Sequence, residues 1–216
     1  MKNLTEVVFI LDRSGSMSGL EEDTIGGFNS MIEKQKNAEG EVLVSTVLFD
    51  HESFVIHDRV PIAEIKPLTR KDYEVRGSTA LLDAMGDAIK HIKNVHKYAR
   101  EEDRPSKTLF IITTDGEENS SMRYGYKDIK KLVEAQQEKE WEFIFLGANI
   151  DSIHVAGRMG FRANRTVNYH NDRRGTQKKF AAMNNFFGAA MAATSFADIG
   201  DDWRKEVDED FEERKK

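Results

Sequence analysis

Short apolar runs recur along the chain, and their composition predicts buried strands. They lack the polar alternation of a strand with one solvated face, and β-branched and aromatic residues dominate them. This is typical of parallel strands covered on both faces by helices. The runs cover residues 7–11, 42–48, 108–113 and 143–146.

Helical periodicity appears between these runs. Ile25, Phe28 and Ile32 mark a first helix, a stronger stripe extends from Leu81 to Ile92, and a polar helix is predicted over 128–138. Strands that alternate with helices predict an α/β fold. We expect a doubly wound, mostly parallel central sheet with helices on both faces, a Rossmann-like arrangement.

One strand is predicted to differ from the others. Phe54 to Val60 carries charged residues and stops at Pro61, which cannot donate a ladder hydrogen bond, so it is expected to be an antiparallel edge strand. Further elements are predicted near the C-terminus: a short helix over 151–159, a last strand over 166–169 and a long helix over 176–196. The apolar stripe of that helix favours core packing.

The composition changes after Asp198, where most residues are charged. We therefore predict one domain over 1–197 and a charged tail over 198–216, either disordered or a solvated helix. Trp203, Val207 and Phe211 form one stripe at intervals of four residues. The stripe either packs on the chain's own domain or anchors a second copy or another protein.

Composition removes several classes of function. The 216 residues include no cysteine, which excludes disulfides, thiolate catalysis and zinc-thiolate sites. Lys and Arg number 32 against 38 Asp and Glu, so no nucleic-acid partner is expected. The apolar run before Asp12 is only five residues long, too short for a signal peptide or a membrane span, and the expected location is cytoplasmic. The oligomeric state stays open.

The first apolar run ends in residues that carry oxygen ligands. Asp12, Ser14 and Ser16 are spaced two residues apart, so extended backbone can direct all three to one side. Ligands of open α/β sheets bind at the carboxyl ends of strands, and oxygen ligands suit a hard cation such as Mg²⁺.

Two distant residues are predicted to reach the same edge. Asp115 ends the run at 109–114 and precedes a glycine turn, while Thr79 lies just before the strongest predicted helix. If the runs at 7–11 and 108–113 form neighbouring parallel strands, Asp12 and Asp115 emerge side by side. Singly, each of these residues could cap a helix or satisfy a turn, but together they favour a metal site.

On these residues the chain resembles the von Willebrand factor type A domain family. Residues 12–16 match its D-x-S-x-S motif, Thr79 its threonine in a G-x-T-x-L context, and Asp115 its aspartate in a T-D-G turn. The strand and helix pattern continues the resemblance over about residues 5 to 170. The resemblance implies an intact metal-ion-dependent adhesion site.

The family's chemistry assigns roles at this site. The resemblance implies that Ser14, Ser16 and, in the ligand-binding state, Thr79 touch the metal directly, while Asp12 and Asp115 act through bound water. Mg²⁺ is the expected ion, with Mn²⁺ or Ca²⁺ also possible. Neutral hydroxyls would leave much of its charge uncompensated, so an open position should attract an Asp or Glu of a partner. The implied function is divalent-metal-dependent protein binding without catalysis.

A rim around this site is predicted to face the partner. Its glutamates could strengthen metal binding, or they could form a solvated turn that favours a following helix. Its arginine could pair with a partner's carboxylate or screen local repulsion. The predicted rim residues are Arg13, Met17, Ser78, Glu117, Glu118 and Asn119.

Alternative functions fit the sequence less well. A phosphatase with an aspartate nucleophile would need a second aspartate where Ser14 stands, and the nucleophile position of a serine-hydrolase elbow is Met17. The sequence has no Walker-type phosphate loop, and its six histidines lack metal-ligand spacing. Residues 50–52, Asp-His-Glu, are interpreted as a polar turn. The remaining alternative is an assembly or scaffold protein that uses its C-terminal helices, with an incidental metal site.

Overall fold

A six-stranded, mostly parallel sheet forms the centre of the computed structural model, which describes residues 4–37 and 40–215. The strands lie in the order β3-β2-β1-β4-β5-β6, and only β3 runs antiparallel to its neighbour. This confirms the predicted fold class and the antiparallel edge strand. The strands are β1 (Leu4–Asp12), β2 (Glu41–Phe49), β3 (Ser53–Pro61), β4 (Lys107–Thr114), β5 (Trp141–Ala148) and β6 (Thr166–Tyr169).

Strands β1 and β4 are parallel neighbours, which is the arrangement that places Asp12 and Asp115 side by side. Leu11 lies opposite Thr113, so β1 ends at Asp12 beside the end of β4 at Thr114. We call this edge of the sheet the carboxyl rim. The register places the loops that follow both strands next to each other.

Helices cover both faces of the sheet. Successive residues of β1 pack on opposite faces of the sheet. Phe9 packs against Phe28 and Phe187 on one face, while Ile10 belongs with Met85 to the hydrophobic core on the other face. Strands buried on both faces explain why the runs are apolar throughout. The helices are α1 (Glu21–Gln35), α2 (Leu81–Tyr98), α3 (Tyr126–Gln137), α4 (Ser152–Arg158), α5 (Arg173–Ala192) and α6 (Lys205–Glu213).

The long C-terminal helix differs from the predicted range of 176–196. It begins at Arg173 because the Asp172 side chain accepts a hydrogen bond of 2.8 Å from the backbone N–H of Gly175. It ends at Ala192, and Ser195 starts a separate short turn by accepting from Ala197 N–H. A side-chain cap, which hydrophobic periodicity does not report, thus sets the start of α5, and the helix ends where Ala193 adopts extended backbone.

The charged tail contains the helix α6, and its apolar residues pack against the domain while most of its charged residues are exposed or half-buried. Trp203 is 4% exposed and Val207 is 1% exposed, and the Trp203 ring meets Phe186 of α5 edge-on with centroids 5.1 Å apart. Phe211 stacks on His170 at 4.9 Å. The stripe therefore packs on the chain's own domain.

A search of the described residues for a membrane-spanning helix found none with the necessary length and apolar character.

Candidate metal centre

A continuous series of contacts links four of the five predicted ligands at the carboxyl rim. The backbone N–H of Ser14 donates to Asp12 Oδ1 at 2.7 Å, and the hydroxyls of Ser14 and Ser16 lie 3.1 Å apart. Ser16 Oγ then donates to Asp115 Oδ1 at 2.6 Å, across 99 positions in sequence. Two segments from neighbouring strand ends therefore meet through side-chain oxygens.

Thr79 approaches the same place from the loop before α2. Gly15 N–H donates to the carbonyl of Gly77 at 3.0 Å, which ties this loop to the one after β1. A Cβ atom placed on Gly116 would lie 3.3 Å from Ser16 Oγ and 3.7 Å from Thr79 Oγ1. Both hydroxyls thus border Gly116, and all five predicted residues lie at one rim. Gly77 has a φ of +68°, a conformation that glycine adopts readily.

Burial makes the two carboxylates costly to charge. Desolvation raises the pKa of Asp12 from 3.8 to about 6, against the lowering effect of hydrogen bonds from Ser14 and Thr114. Desolvation also raises the pKa of Asp115. A divalent cation would offset this cost, and a set made only of hydroxyl and carboxylate oxygens suits a hard ion. The residues present therefore fit Mg²⁺.

Several residues that support these ligands escaped sequence reasoning. Asn171 Nδ2 donates to Asp115 Oδ2 at 2.8 Å, the Tyr73 hydroxyl donates to the Asp12 carbonyl, and Lys179 is buried nearby. Each comes from a segment far along the chain from its partner, so no local spacing could indicate it. The one available signal was the position of Lys179 in the apolar stripe of α5, four residues before Met183.

Three of the predicted rim residues are exposed: Ser78, Glu117 and Asn119. Glu118 instead faces inward and accepts hydrogen bonds at the start of α2, from Leu82 N–H at 2.9 Å and Ser121 Oγ at 2.8 Å. Glu118 therefore stabilises the start of α2, which precedes it in sequence, and not the following helix α3.

The other two predicted rim residues are buried. Met17 is 1% exposed and belongs to the core, so it has no surface to offer a partner. Arg13 is 7% exposed; its Nε lies 2.9 Å from Asp50 Oδ2, and its guanidinium covers the Phe54 ring at 4.0 Å. The rim prediction needs correction at both positions, because the chain after β1 carries both side chains inward, Met17 as the last residue of a short 3-10 turn, Gly15–Met17.

A second group of potential ligands lies in the turn between β2 and β3. Ligand atoms of Asp50, His51 and Glu52 all lie within 4.8 Å of one another, close enough to share an ion. However, Arg13 and Arg76 already approach Asp50 Oδ2 at 2.9 and 3.0 Å, and Asp50 Oδ1 accepts from Glu52 N–H. A cation here would face two guanidinium charges. The turn interpretation accounts for these contacts.

Comparison with known proteins gives a family match. The model of the von Willebrand factor type A domain matches residues 6–182, which is most of the chain. No curated protein matches the sequence.

Solved structures share the fold at low sequence identity. The von Willebrand factor domain of the type V pili tip protein Mfa5 from Porphyromonas gingivalis has a TM-score of 0.61 at 11% identity, covering 88% of this chain and 97% of that one. Proximal thread matrix protein 1 from the mussel byssus, with a zinc-occupied MIDAS motif, gives 0.56 at 11% identity, with 88% and 46% covered. The pilus adhesin SpaC from Lactobacillus rhamnosus GG gives 0.61 at 11%, with 88% and 30% covered.

Proposed function

Because the chain belongs to the von Willebrand factor type A domain family, we propose that it is a protein-binding module that depends on a divalent metal. The metal would be held by five residues from three segments: Asp12, Ser14, Ser16, Thr79 and Asp115. The observation that carries this proposal is the contact from Ser16 Oγ to Asp115 Oδ1, which joins the two strand ends through ligand oxygens.

The exposure of the ligands supports a site open on one side. Asp12, Ser14, Thr79 and Asp115 are each at most 3% exposed, whereas Ser16 is exposed to solvent. A cation held here would present its free coordination position outward, where it would bind a carboxylate oxygen. We therefore propose that the partner offers an Asp or Glu. Mg²⁺ fits best because no nitrogen or sulfur ligand is in the set, and Mn²⁺ or Ca²⁺ would also fit.

The same arrangement supports binding rather than catalysis. The second carboxylate of an aspartate phosphatase is absent, because its position is Ser14, whose N–H and hydroxyl are engaged with Asp12 and Ser16. Asp12 is buried and accepts from Thr114 Oγ1 at 2.6 Å, so it is poorly placed for nucleophilic attack.

The scaffold alternative has less support. It relies on the stripe in the tail as an anchor, and Trp203 and Val207 are covered by the domain. The predicted cytoplasmic location stays a prediction, since proteins of similar fold include a pilus tip protein and a pilus adhesin.

Affinity capture from the native cell tests the proposal. The full chain is used as bait in Mg²⁺ and in EDTA, and Asp115→Ala is compared with Asp103→Ala, which changes a half-exposed carboxylate paired with Arg100. We expect a captured protein that is lost both in EDTA and with Asp115→Ala, and retained with Asp103→Ala. Partners indifferent to EDTA and to Asp115→Ala would reject metal bridging in favour of the scaffold.

A further inference from the structure

A lysine side chain lies fully buried beneath the carboxyl rim without a hydrogen-bond partner. Lys179 of α5 is 0% exposed, and its Nζ donates to no atom of the described residues. Burying an ammonium group without a partner is unfavourable, so such a residue needs compensation from its surroundings. The neighbouring rings supply part of it: Nζ lies 4.8 Å from the centroid of Tyr169 and 5.0 Å from that of Phe180.

Two candidate metal ligands supply the opposite charge. Asp115 and Asp12 act on the ammonium of Lys179 and oppose desolvation, which lowers its pKa to about 8. The effect is mutual at Asp115: desolvation raises the pKa of this carboxyl, and the Lys179 charge opposes part of that rise. Tyr169 connects Lys179 to the end of β4. Its ring lies beside the ammonium, and its hydroxyl donates to the carbonyl of Thr114, one residue before Asp115, at 3.2 Å.

We infer that Lys179 is the internal counter-charge of the candidate metal site. It stabilises the buried carboxylates when no cation is bound, and its charge opposes a divalent cation when one binds. This inference rests on the proposed metal site and extends it: Lys179 limits the affinity of the site, so that the ion exchanges readily with solution. It acts through the field at Asp115 and Asp12 and is not a ligand itself.

Removing the charge of Lys179 tests whether this residue limits the affinity of the site for a divalent cation. Lys179→Met keeps the length of the side chain and suits its aromatic surroundings. The control is Lys178→Met, which removes a neighbouring charge that is partly exposed and paired with Glu206 at 2.8 Å. Isothermal titration with Mg²⁺ alone at pH 7 should give roughly tenfold tighter binding for Lys179→Met, and affinity within about twofold of the parent for Lys178→Met. Equal affinity of Lys179→Met and the parent would overturn it.

A double-mutant cycle with Asp115→Asn tests the counter-charge without any metal. Free energies of unfolding are measured by urea titration in EDTA. Each single variant leaves a buried charge without its partner, so the double variant should lose less stability than the sum of the single losses. Strict additivity would overturn the counter-charge. Absence of Mg²⁺ binding in both the parent and Lys179→Met would instead reject the proposed metal site, and the metal half of the inference with it. Lys179→Gln replaces Lys179→Met if the latter does not fold.

Discussion

Asp12 combines full burial with a position at the end of a strand, and this decides how its charge affects stability. Its pKa in the folded chain is about 6 against an ordinary 3.8, so folding favours the protonated form. The resulting stabilisation is complete below pH about 4 and is lost as the pH rises through about 6, a change on the order of 3 kcal/mol.

Asp12→Asn should remove this pH dependence, because asparagine imitates the neutral form and its Oδ1 can still accept from Ser14 N–H. Urea unfolding in EDTA between pH 4 and pH 7 should show the parent losing stability relative to Asp12→Asn as the pH rises. Asp103→Asn, at a half-exposed carboxylate, serves as control. Parallel curves for the parent and Asp12→Asn would contradict the assignment.

Glu118 and Glu117 are adjacent in sequence and differ in role. Glu118 accepts from the N–H groups of Leu82, Ser120 and Ser121 at 2.7 to 2.9 Å, so it caps α2 and places a negative charge at the helix start. Glu118→Ala should lower the free energy of unfolding by about 1 to 2 kcal/mol, measured in urea. The same change at exposed Glu117 should cost less than about 0.5 kcal/mol. Equal losses would show that the cap is energetically unimportant.

Among the elements, α6 and the short 3-10 turn before it, Asp202–Arg204, carry a stability prediction. Trp203 packs against Phe186 and is 4% exposed, while Phe211 of the same stripe is only half-buried. Trp203→Ala should cost about 3 to 5 kcal/mol, because it leaves a large cavity under α5. Phe211→Ala should cost clearly less. Thermal unfolding of both variants, and of a chain lacking 198–216, checks this; an unchanged Tm for the truncated chain would mean that the tail does not stabilise the domain.

The elements also show what sequence could and could not predict. Buried parallel strands have a strong local signal, so β1, β4 and β6 and the edge position of β3 were predictable. The start of α5 depends on the cap by Asp172, and the turn after α5 depends on the cap by Ser195; neither cap changes the hydrophobic period. The hydrogen bond from Asn171 to Asp115 and the burial of the Lys179 charge beneath the site depend on the tertiary arrangement. Periodicity therefore predicted elements and their order, whereas the fold determined which polar residues support Asp12 and Asp115.

For the whole molecule, metal binding should be linked to global stability, because the proposed ligands join β1, the loop before α2 and the end of β4. At Mg²⁺ concentrations about 100-fold above Kd, a single site adds about 2.7 kcal/mol. For a domain of this size that corresponds to a rise in Tm of roughly 5 to 10 °C. Differential scanning calorimetry of the full chain measures the rise, and Thr79→Val should reduce it by removing one hydroxyl.

The same measurement discriminates between the two groups of potential ligands. His51 has a side chain that is 47% exposed, so His51→Ala removes a ligand of the Asp50, His51 and Glu52 group. It leaves the contacts of Asp50 with Arg13 and Arg76 in place. Because those guanidinium groups already neutralise Asp50, we expect His51→Ala to retain the full rise in Tm with Mg²⁺. A rise that disappears with His51→Ala and persists with Thr79→Val would move the metal to the turn between β2 and β3.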